Sequence, residues 1–276
     1  MSLGIPLSLK GAEFRYPNSD INIFHNLDLE IRAGEWIALL GPNGSGKSTL
    51  LKLFNALLIP TQGFCFVGEK CTSDTDKVDD IRASAAMVFQ NPDDQIVAAV
   101  VEEDTAFGPE NIGLPSEVTR ERVDAALSAV GLSGCRRSQV SSLSGGQKQR
   151  LAFAGALALA PGALLLDEAL SMLDPNARRN FTQLVRKEHE AGMTIVQVTH
   201  RLDEIIYSDR VVVLDAGHVA MDMKTADFLL KTEEELAKLD IQKPPVSILR
   251  DMLCGAGLIP DSVAADIDAI RESLCR

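Results

Sequence analysis

The chain has 276 residues, 46% of them hydrophobic, and a net charge of −12. That is enough to bury one large core with an appendage, and the wrong sign for a sequence-independent nucleic-acid binder, which needs a basic face. Five cysteines (Cys65, Cys71, Cys135, Cys254 and Cys275) form an odd set without metal-like C-x-x-C spacing and read as reduced thiols of a cytosolic protein.

The first residues carry neither the basic patch nor the apolar core of a signal peptide. Residues 7–15 and 27–32 alternate as strands, joined by a polar turn at Pro17-Asn18-Ser19-Asp20. Tyr16, on that turn, is either an aromatic able to stack on a base or an ordinary half-buried turn residue. Trp36 to Leu40 is a short apolar strand. Gly41-Pro42-Asn43-Gly44-Ser45-Gly46-Lys47-Ser48-Thr49 follows, and then Leu50 to Leu58, with the apolar spacing of a helix. Strand, glycine loop and helix are the context that G-x-x-x-x-G-K-[ST] requires. Glycines let the backbone wrap closely, so that successive N–H groups and the helix N-terminus point at a polyphosphate. Lys47 then reaches the outer phosphates and the Ser48 hydroxyl completes a magnesium shell. These residues predict a nucleotide site.

Gly63 to Val67 reads as another strand. A polar connector, Cys71 to Asp80, leads to the apolar run Ala85 to Phe89, which ends in Gln90. From about residue 102 to 160 the composition turns helical, with a helix over Glu117 to Val130 closed by Gly131 and a second from Leu143 to Ala160. Leu151 to Leu166 is 16 uncharged residues. Wholly helical, it would span roughly 24 Å, short of the ~30 Å hydrocarbon core, and Pro161-Gly162 divides it into a buried helix and a buried strand. The strand, Ala163 to Asp167, carries Glu168 at its end. A helix (Ala177 to Glu190), a strand (Met193 to Thr199), His200, a short helix (Leu202 to Tyr207) and a last strand (Arg210 to Leu214) complete the pattern. Apolar strands alternating with helices predict an α/β fold on a mainly parallel sheet, interrupted by an inserted helical subdomain at about 102–160. The tail from Thr232, divided by Pro244-Pro245 and Pro260, predicts a small helical C-terminal domain, giving expected domains of 1–231 and 232–276.

Open α/β sheets bind ligands at the carboxyl ends of their strands, which is where Asp167 and Glu168 fall. Asp167 would hold Mg²⁺ opposite Ser48, and Glu168 would orient, or take a proton from, the water attacking a γ-phosphate. Alone, the pair would be a solvated strand end. Ser144-Gly145-Gly146-Gln147 puts a hydroxyl and two glycines at a helix start, either a second anion-binding end or a plain N-cap. Gln90 and His200 each follow an apolar run that would end beside Asp167, as candidate contacts to the γ-phosphate and the water.

In this order, the phosphate loop, Gln90, Leu143 to Gln147, Leu165-Leu166-Asp167-Glu168, Ser171-Met172-Leu173-Asp174 and Thr199-His200 resemble the ATPase subunit of an ABC transporter, along the whole chain. The resemblance implies an ABC-type P-loop nucleotide-binding domain with an N-terminal antiparallel β subdomain. It implies ATP and Mg²⁺ as ligands, with Ser48, Gln90 and Asp167 on the metal, Tyr16 on the adenine, and Glu168 and His200 as catalytic residues. It also implies a head-to-tail pair of ATPase subunits, identical or paralogous, in which Ser144 to Gln147 close over the partner's ATP.

Phe14-Arg15-Tyr16-Pro17, Val88 to Gln95 and Ala106 to Pro115 are similar to the energy-coupling factor ATPases, which drive uptake of vitamins or of cobalt and nickel ions. Asn91 to Gln95 with Ser171 to Asp174 resemble the first of that family's two paralogues; Leu170 departs from an expected Thr or Ser. A membrane coupling subunit and a substrate-binding membrane subunit are then the implied partners, at the cytoplasmic face of the membrane. Asp93, Asp94 and Gln95 form a cluster of acceptors that could receive arginines of the coupling subunit. The competing readings are a subunit of another ABC importer and a soluble ABC ATPase acting on DNA or ribosomes. DNA-repair relatives insert a long coiled coil and ribosome-acting ones carry two ATPase units per chain; here neither occurs, and no nucleic-acid partner is expected.

Overall fold

The computed structural model describes residues 4–17 and 19–275. Asn18, within the expected Pro17–Asp20 turn, lies outside the described residues. The chain runs β1 (Leu7–Arg15), β2 (Asn22–Ile31), β3 (Trp36–Leu40), α1 (Lys47–Phe54), β4 (Gln62–Val67), β5 (Lys70–Cys71), α2 (Val78–Ser84) and β6 (Ala85–Val88). Three helices follow, α3 (Val101–Asn111), α4 (Ser116–Ala129) and α5 (Gly145–Ala158), then β7 (Ala163–Asp167), α6 (Pro175–Glu190), β8 (Thr194–Val198), β9 (Arg210–Asp215) and β10 (His218–Lys224). Four short helices close it: α7 (Thr225–Phe228), α8 (Glu233–Ala237), α9 (Pro245–Gly255) and α10 (Ile267–Leu274).

Two sheets result. The antiparallel one has the order β2-β1-β4-β5, with Leu7 opposite Ile31 and Phe14 opposite Phe24. The core sheet has the order β10-β9-β3-β8-β7-β6, parallel except for β10, which pairs antiparallel on β9. In β3 and β7 to β9 nearly every residue is buried, because both faces are covered and alternate residues serve different layers. Ile37, Leu39, Leu165, Val196 and Val212 pack against α1 and the antiparallel sheet. Leu164, Leu166 and Ile195 face the helical block through Leu151 and Phe153 of α5, and Phe181 of α6 joins that cluster with its ring 4.1 Å from that of Phe153. Ala38, Leu40, Val211 and Val213 meet Phe228, Leu236, Ile241 and Ala265, so the tail packs on the core sheet itself.

Most expected elements form, with instructive differences. The second strand begins at Asn22 rather than at residue 27. Within the connector at Cys71–Asp80, α2 begins at Val78, with the single buried residue Ile81 as its anchor. Arg210 to Leu214 is not the last strand. The chain turns back through Ala216 and Gly217, both at positive φ (44° and 79°), into β10, whose burial alternates along one exposed edge. Both central residues at positive φ make the tight hairpin that matches strand twist, and Ala-Gly is an uncommon way to write it. Leu202 to Tyr207 tightens to one 3₁₀ turn, Ile205–Tyr207. Gly131 (φ 70°) ends α4 as expected, its N–H on Ser128 O and that of Leu132 on Leu127 O. Leu151 to Leu166 divides into α5 and β7, and no helix among the described residues is long and apolar enough to cross a membrane.

Candidate functional site

Sheet order assembles the site. The carboxyl ends of β3, β8, β7 and β6 lie side by side, with Leu39 paired to Val198, Val198 to Asp167, and Leu166 to Val88. The glycine loop, His200, Asp167-Glu168 and Gln90 are therefore neighbours although 160 residues of chain contain them.

The loop after β3 is shaped by two close approaches. A Cβ on Gly41 (φ 140°) would fall 2.1 Å from Leu214 O, and one on Gly46 (φ 101°) 2.6 Å from the Phe24 ring. Gly46 delivers the chain into α1 with no side-chain cap and no acidic residue in the first turn. The first amides of a helix have no intrahelical partner, and together with the helix dipole they favour an anion. Lys47 is buried, with Nζ donating to Gly41 O (2.8 Å) and Pro42 O (2.9 Å). Burial pulls its pKa down, while Glu168 and Asp167 push it up. Thr49 Oγ1 lies 3.0 Å from Tyr16 Oη, which ties the expected adenine contact to the loop helix; the Tyr16 ring stands edge-on to Phe14 and is partly exposed.

Ser48 Oγ donates to Asp167 Oδ1 at 2.8 Å. Burial raises the Asp167 pKa, the Ser48 hydrogen bond opposes this, Glu168 adds to the rise, and Lys52 and Lys47 oppose it. A hydroxyl and a buried carboxylate facing each other, with two lysines nearby, are oxygen donors of the kind Mg²⁺ takes, so the residues fit the expected metal. Glu168 sits in the left-handed region (φ 48°) with its N–H on Val198 O (3.1 Å). That backbone turns its carboxylate between two strand ends: Gln90 Nε2 donates to Oε2 at 3.0 Å, and His200 Nε2 lies 3.1 Å from Oε1. A non-glycine residue in this conformation is strained, and such strain gathers at functional sites.

Ser144 to Gln147 stand apart from this set. Ser144 N-caps α5 in a full capping box: its Oγ accepts from Gln147 N (3.3 Å), and Gln147 Oε1 accepts from Ser144 N (2.9 Å). A Cβ on Gly145 would meet nothing within 4 Å. The four residues make no hydrogen bond to the phosphate loop among the described residues.

Two side chains of the expected acceptor cluster are already engaged. Gln95 uses both ends of its amide, Oε1 accepting from Phe89 N (3.1 Å) and Nε2 donating to Ala152 O (3.1 Å). Asp93 takes Lys148 Nζ at 2.6 Å. Gln149, fully buried, donates to Phe89 O at 3.1 Å. Residues 89–95 are thus stitched to α5, and of the three acceptors the Asp94 carboxylate is the one with no hydrogen bond or ion pair among the described residues. Leu170 is buried in the helical cluster, so its side chain fills core rather than the phosphate site. The sequence singles out neither Arg178, which is half-buried, nor Glu204, which is buried beside the site; a charged residue soon after His200 was the signal available.

The family model described as ABC transporter matches residues 24–171. The energy-coupling factor transporter ATP-binding protein EcfA1 of Caldanaerobacter subterraneus subsp. tengcongensis is 44% identical over 255 residues, 92% of each chain. The protein of the same name from Symbiobacterium thermophilum is 46% identical over 251 residues, 91% of this chain and 87% of that one. Among solved structures, cbiO1 of Clostridium perfringens, part of the ABC transporter complex cbiONQ, superposes with a TM-score of 0.74 at 32% identity, over 89% of this chain and 98% of that one. The ATP-binding cassette MJ0796, dimeric and bound to ADP and Pi, reaches 0.72 at 30% identity, over 79% and 98%. The chain belongs to the ABC transporter ATPases, among the energy-coupling factor ATP-binding proteins.

Proposed function

We propose that this ATPase binds MgATP on Gly41 to Thr49 and hydrolyses it with Glu168 and His200 to power an energy-coupling factor importer. The observation that carries the hydrolytic part is the Glu168 carboxylate held between Gln90 and His200 beside the Ser48–Asp167 pair. The loop amides and Lys47 take the phosphates, and Tyr16 stacks on the adenine. Mg²⁺, held by Ser48, Gln90 and Asp167, would neutralise charge on the phosphate oxygens. Glu168 orients the attacking water and accepts its proton as the new P–O bond forms and the bond to the bridging oxygen breaks, leaving ADP and phosphate. His200, against the same carboxylate, holds Glu168 toward that water.

The uncapped start of α1 and the self-contained cap of α5 support a composite site. In a head-to-tail pair with an identical or paralogous subunit, Ser144 to Gln147 close over the partner's ATP. The contact exists only in the closed state, which is how binding energy becomes motion. Residues 1–231 form the ATPase domain, with the helical subdomain at 102–160, and 232–276 form the helical C-terminal domain. The pair sits at the cytoplasmic face of the membrane on a coupling subunit, while a substrate-binding membrane subunit selects a vitamin or a cobalt or nickel ion. With Asp93 and Gln95 engaged internally, Asp94 is the acceptor left for a basic side chain of the coupling subunit. Asp94→Lys is expected to abolish uptake in reconstituted vesicles while ATP binding stays intact; normal uptake would remove Asp94 from the interface.

Glu168→Gln tests the chemistry. It keeps the shape and loses the base, so MgATP binding is retained while kcat falls by on the order of 10²–10⁴. Near-normal turnover would contradict the role of Glu168.

A further inference from the structure

Glu204 is a buried carboxylate that the proposed chemistry does not use. It is 5% exposed. Its Oε2 accepts from Gln197 Nε2 (2.9 Å) and Thr199 Oγ1 (2.8 Å). Its Oε1 makes no hydrogen bond among the described residues, yet faces Arg201 Nε at 3.4 Å and Arg178 Nε at 3.8 Å. Burial pushes the carboxyl pKa up; the Thr199 hydrogen bond and the two arginines work against it. A buried ion pair of this kind is a weak source of stability, because desolvation consumes most of the attraction. Its geometry is more informative than its energy.

Three of the four partners of Glu204 lead back to the proposed catalytic carboxylate. Thr199 and Arg201 flank His200, and Thr199 Oγ1 also accepts the Arg201 N–H at 3.0 Å, so the residues on both sides of His200 are held to one carboxylate. Arg178, from the first turns of α6, donates to Leu173 O (2.8 Å) and Leu170 O (3.3 Å). Those carbonyls belong to the loop that runs from Glu168 to the α6 cap, Asp174. The ring closes where His200 Nε2 meets Glu168 Oε1 at 3.1 Å.

We infer that Glu204 is a positioning residue for ATP hydrolysis: it holds the backbone on either side of His200 and, through Arg178, the loop leaving Glu168, so that imidazole and carboxylate stay in register. The inference rests on the reading of Glu168 and His200 as the hydrolytic pair. Glu204 touches neither, and acts through His200.

The test is a double-mutant cycle on steady-state ATP hydrolysis by the full chain. Glu204→Gln keeps the side-chain shape and an acceptor oxygen but loses the charge facing the arginines. It is expected to lower kcat about tenfold with KM for ATP within about twofold of the parent, and in a His200→Ala background to change kcat by less than about twofold. Thr199→Val, which leaves the carboxylate and both arginines in place, is expected to lower kcat in the same way and carries the test where Glu204→Gln fails to fold. An undiminished kcat in a folded Glu204→Gln or Thr199→Val protein would overturn the inference. So would an equal loss with and without His200, the mark of a merely structural role. Those results leave His200 in its role if His200→Ala itself is slow; full activity in His200→Ala would remove that role and the positioning with it.

Discussion

Two helices that the proposed mechanism aims at phosphate begin in opposite ways. α1 leaves a left-handed Gly46 with no side-chain cap, and a buried lysine is its first residue. α5 leaves an extended Ser144 whose hydroxyl and backbone N–H are both answered by Gln147. An uncapped start holds its donors ready for a ligand, whereas a capping box spends two of them on the helix itself. One end is thus built to need a ligand and the other to be stable without one. That suits the proposed site split between two subunits, in which α1 binds ATP and α5 stays folded without a partner's nucleotide.

The largest expected effect lies on α1. Lys47→Ala removes a buried ammonium that meanwhile bonds two loop carbonyls. Charge-assisted contacts are worth about 1.5–3 kcal/mol, so MgATP affinity is expected to fall by about a hundredfold, measured by titration calorimetry. Ser144→Ala in the same measurement should leave the affinity of the isolated chain unchanged. Equal losses in the two variants would erase the distinction between the two helix starts.

Glycine replacement sharpens it next. Gly46→Ala places a methyl 2.6 Å from the Phe24 ring on a backbone at φ 101°. The strained φ alone costs about 1–3 kcal/mol, with a fall in Tm of about 2–4 °C for each kcal/mol. Gly145→Ala enters open space at a helical position, where Ala is favoured over Gly by up to about 1 kcal/mol, so Tm should hold or rise. Thermal melts should show a lower Tm for Gly46→Ala and no fall for Gly145→Ala.

The phosphate loop, Gln90, Asp167, Glu168 and His200 were legible in the sequence because each closes an apolar run, and strands of one parallel sheet end on one edge. That they touch depends on the order β3-β8-β7-β6, which no local pattern specifies. What escaped has a common cause, since each missing feature is settled by partners far along the chain. Gln95 looks like a free acceptor until Ala152 takes its amide, 57 residues on. Asp93 looks solvated until α5 brings Lys148 to it. β10 was hidden by an Ala-Gly turn, and α2 by a polar connector that only Ile81 anchors. Resemblance to a family carried the assignment of Ser144 to Gln147, for which local chemistry allowed a plain cap; the capping box is the part of that reading the structure shows.

Ser144 is a cap by its geometry and a donor to a partner's phosphate by proposal, and the smallest effect separates the two. As a cap, Ser144→Ala should cost about 1 kcal/mol and Ser144→Gly only a few tenths. As a donor to the partner's γ-phosphate, the hydroxyl is lost equally in both. Hydrolysis that falls to the same level in the two variants, while only the Ala variant melts earlier, would assign the catalytic loss to the partner's site. Activity that instead follows Tm, with Gly near the parent and Ala below it, would reduce Ser144 to its cap. Ser144→Thr, which keeps the hydroxyl at a good capping residue, should restore both, because the interaction with phosphate and the interaction with Gln147 N need the same oxygen. That shared oxygen sets a limit on the closed state. In the proposed closed pair the hydroxyl would accept from its own helix and donate to the nucleotide at once, so that α5 would keep its cap as the pair closes.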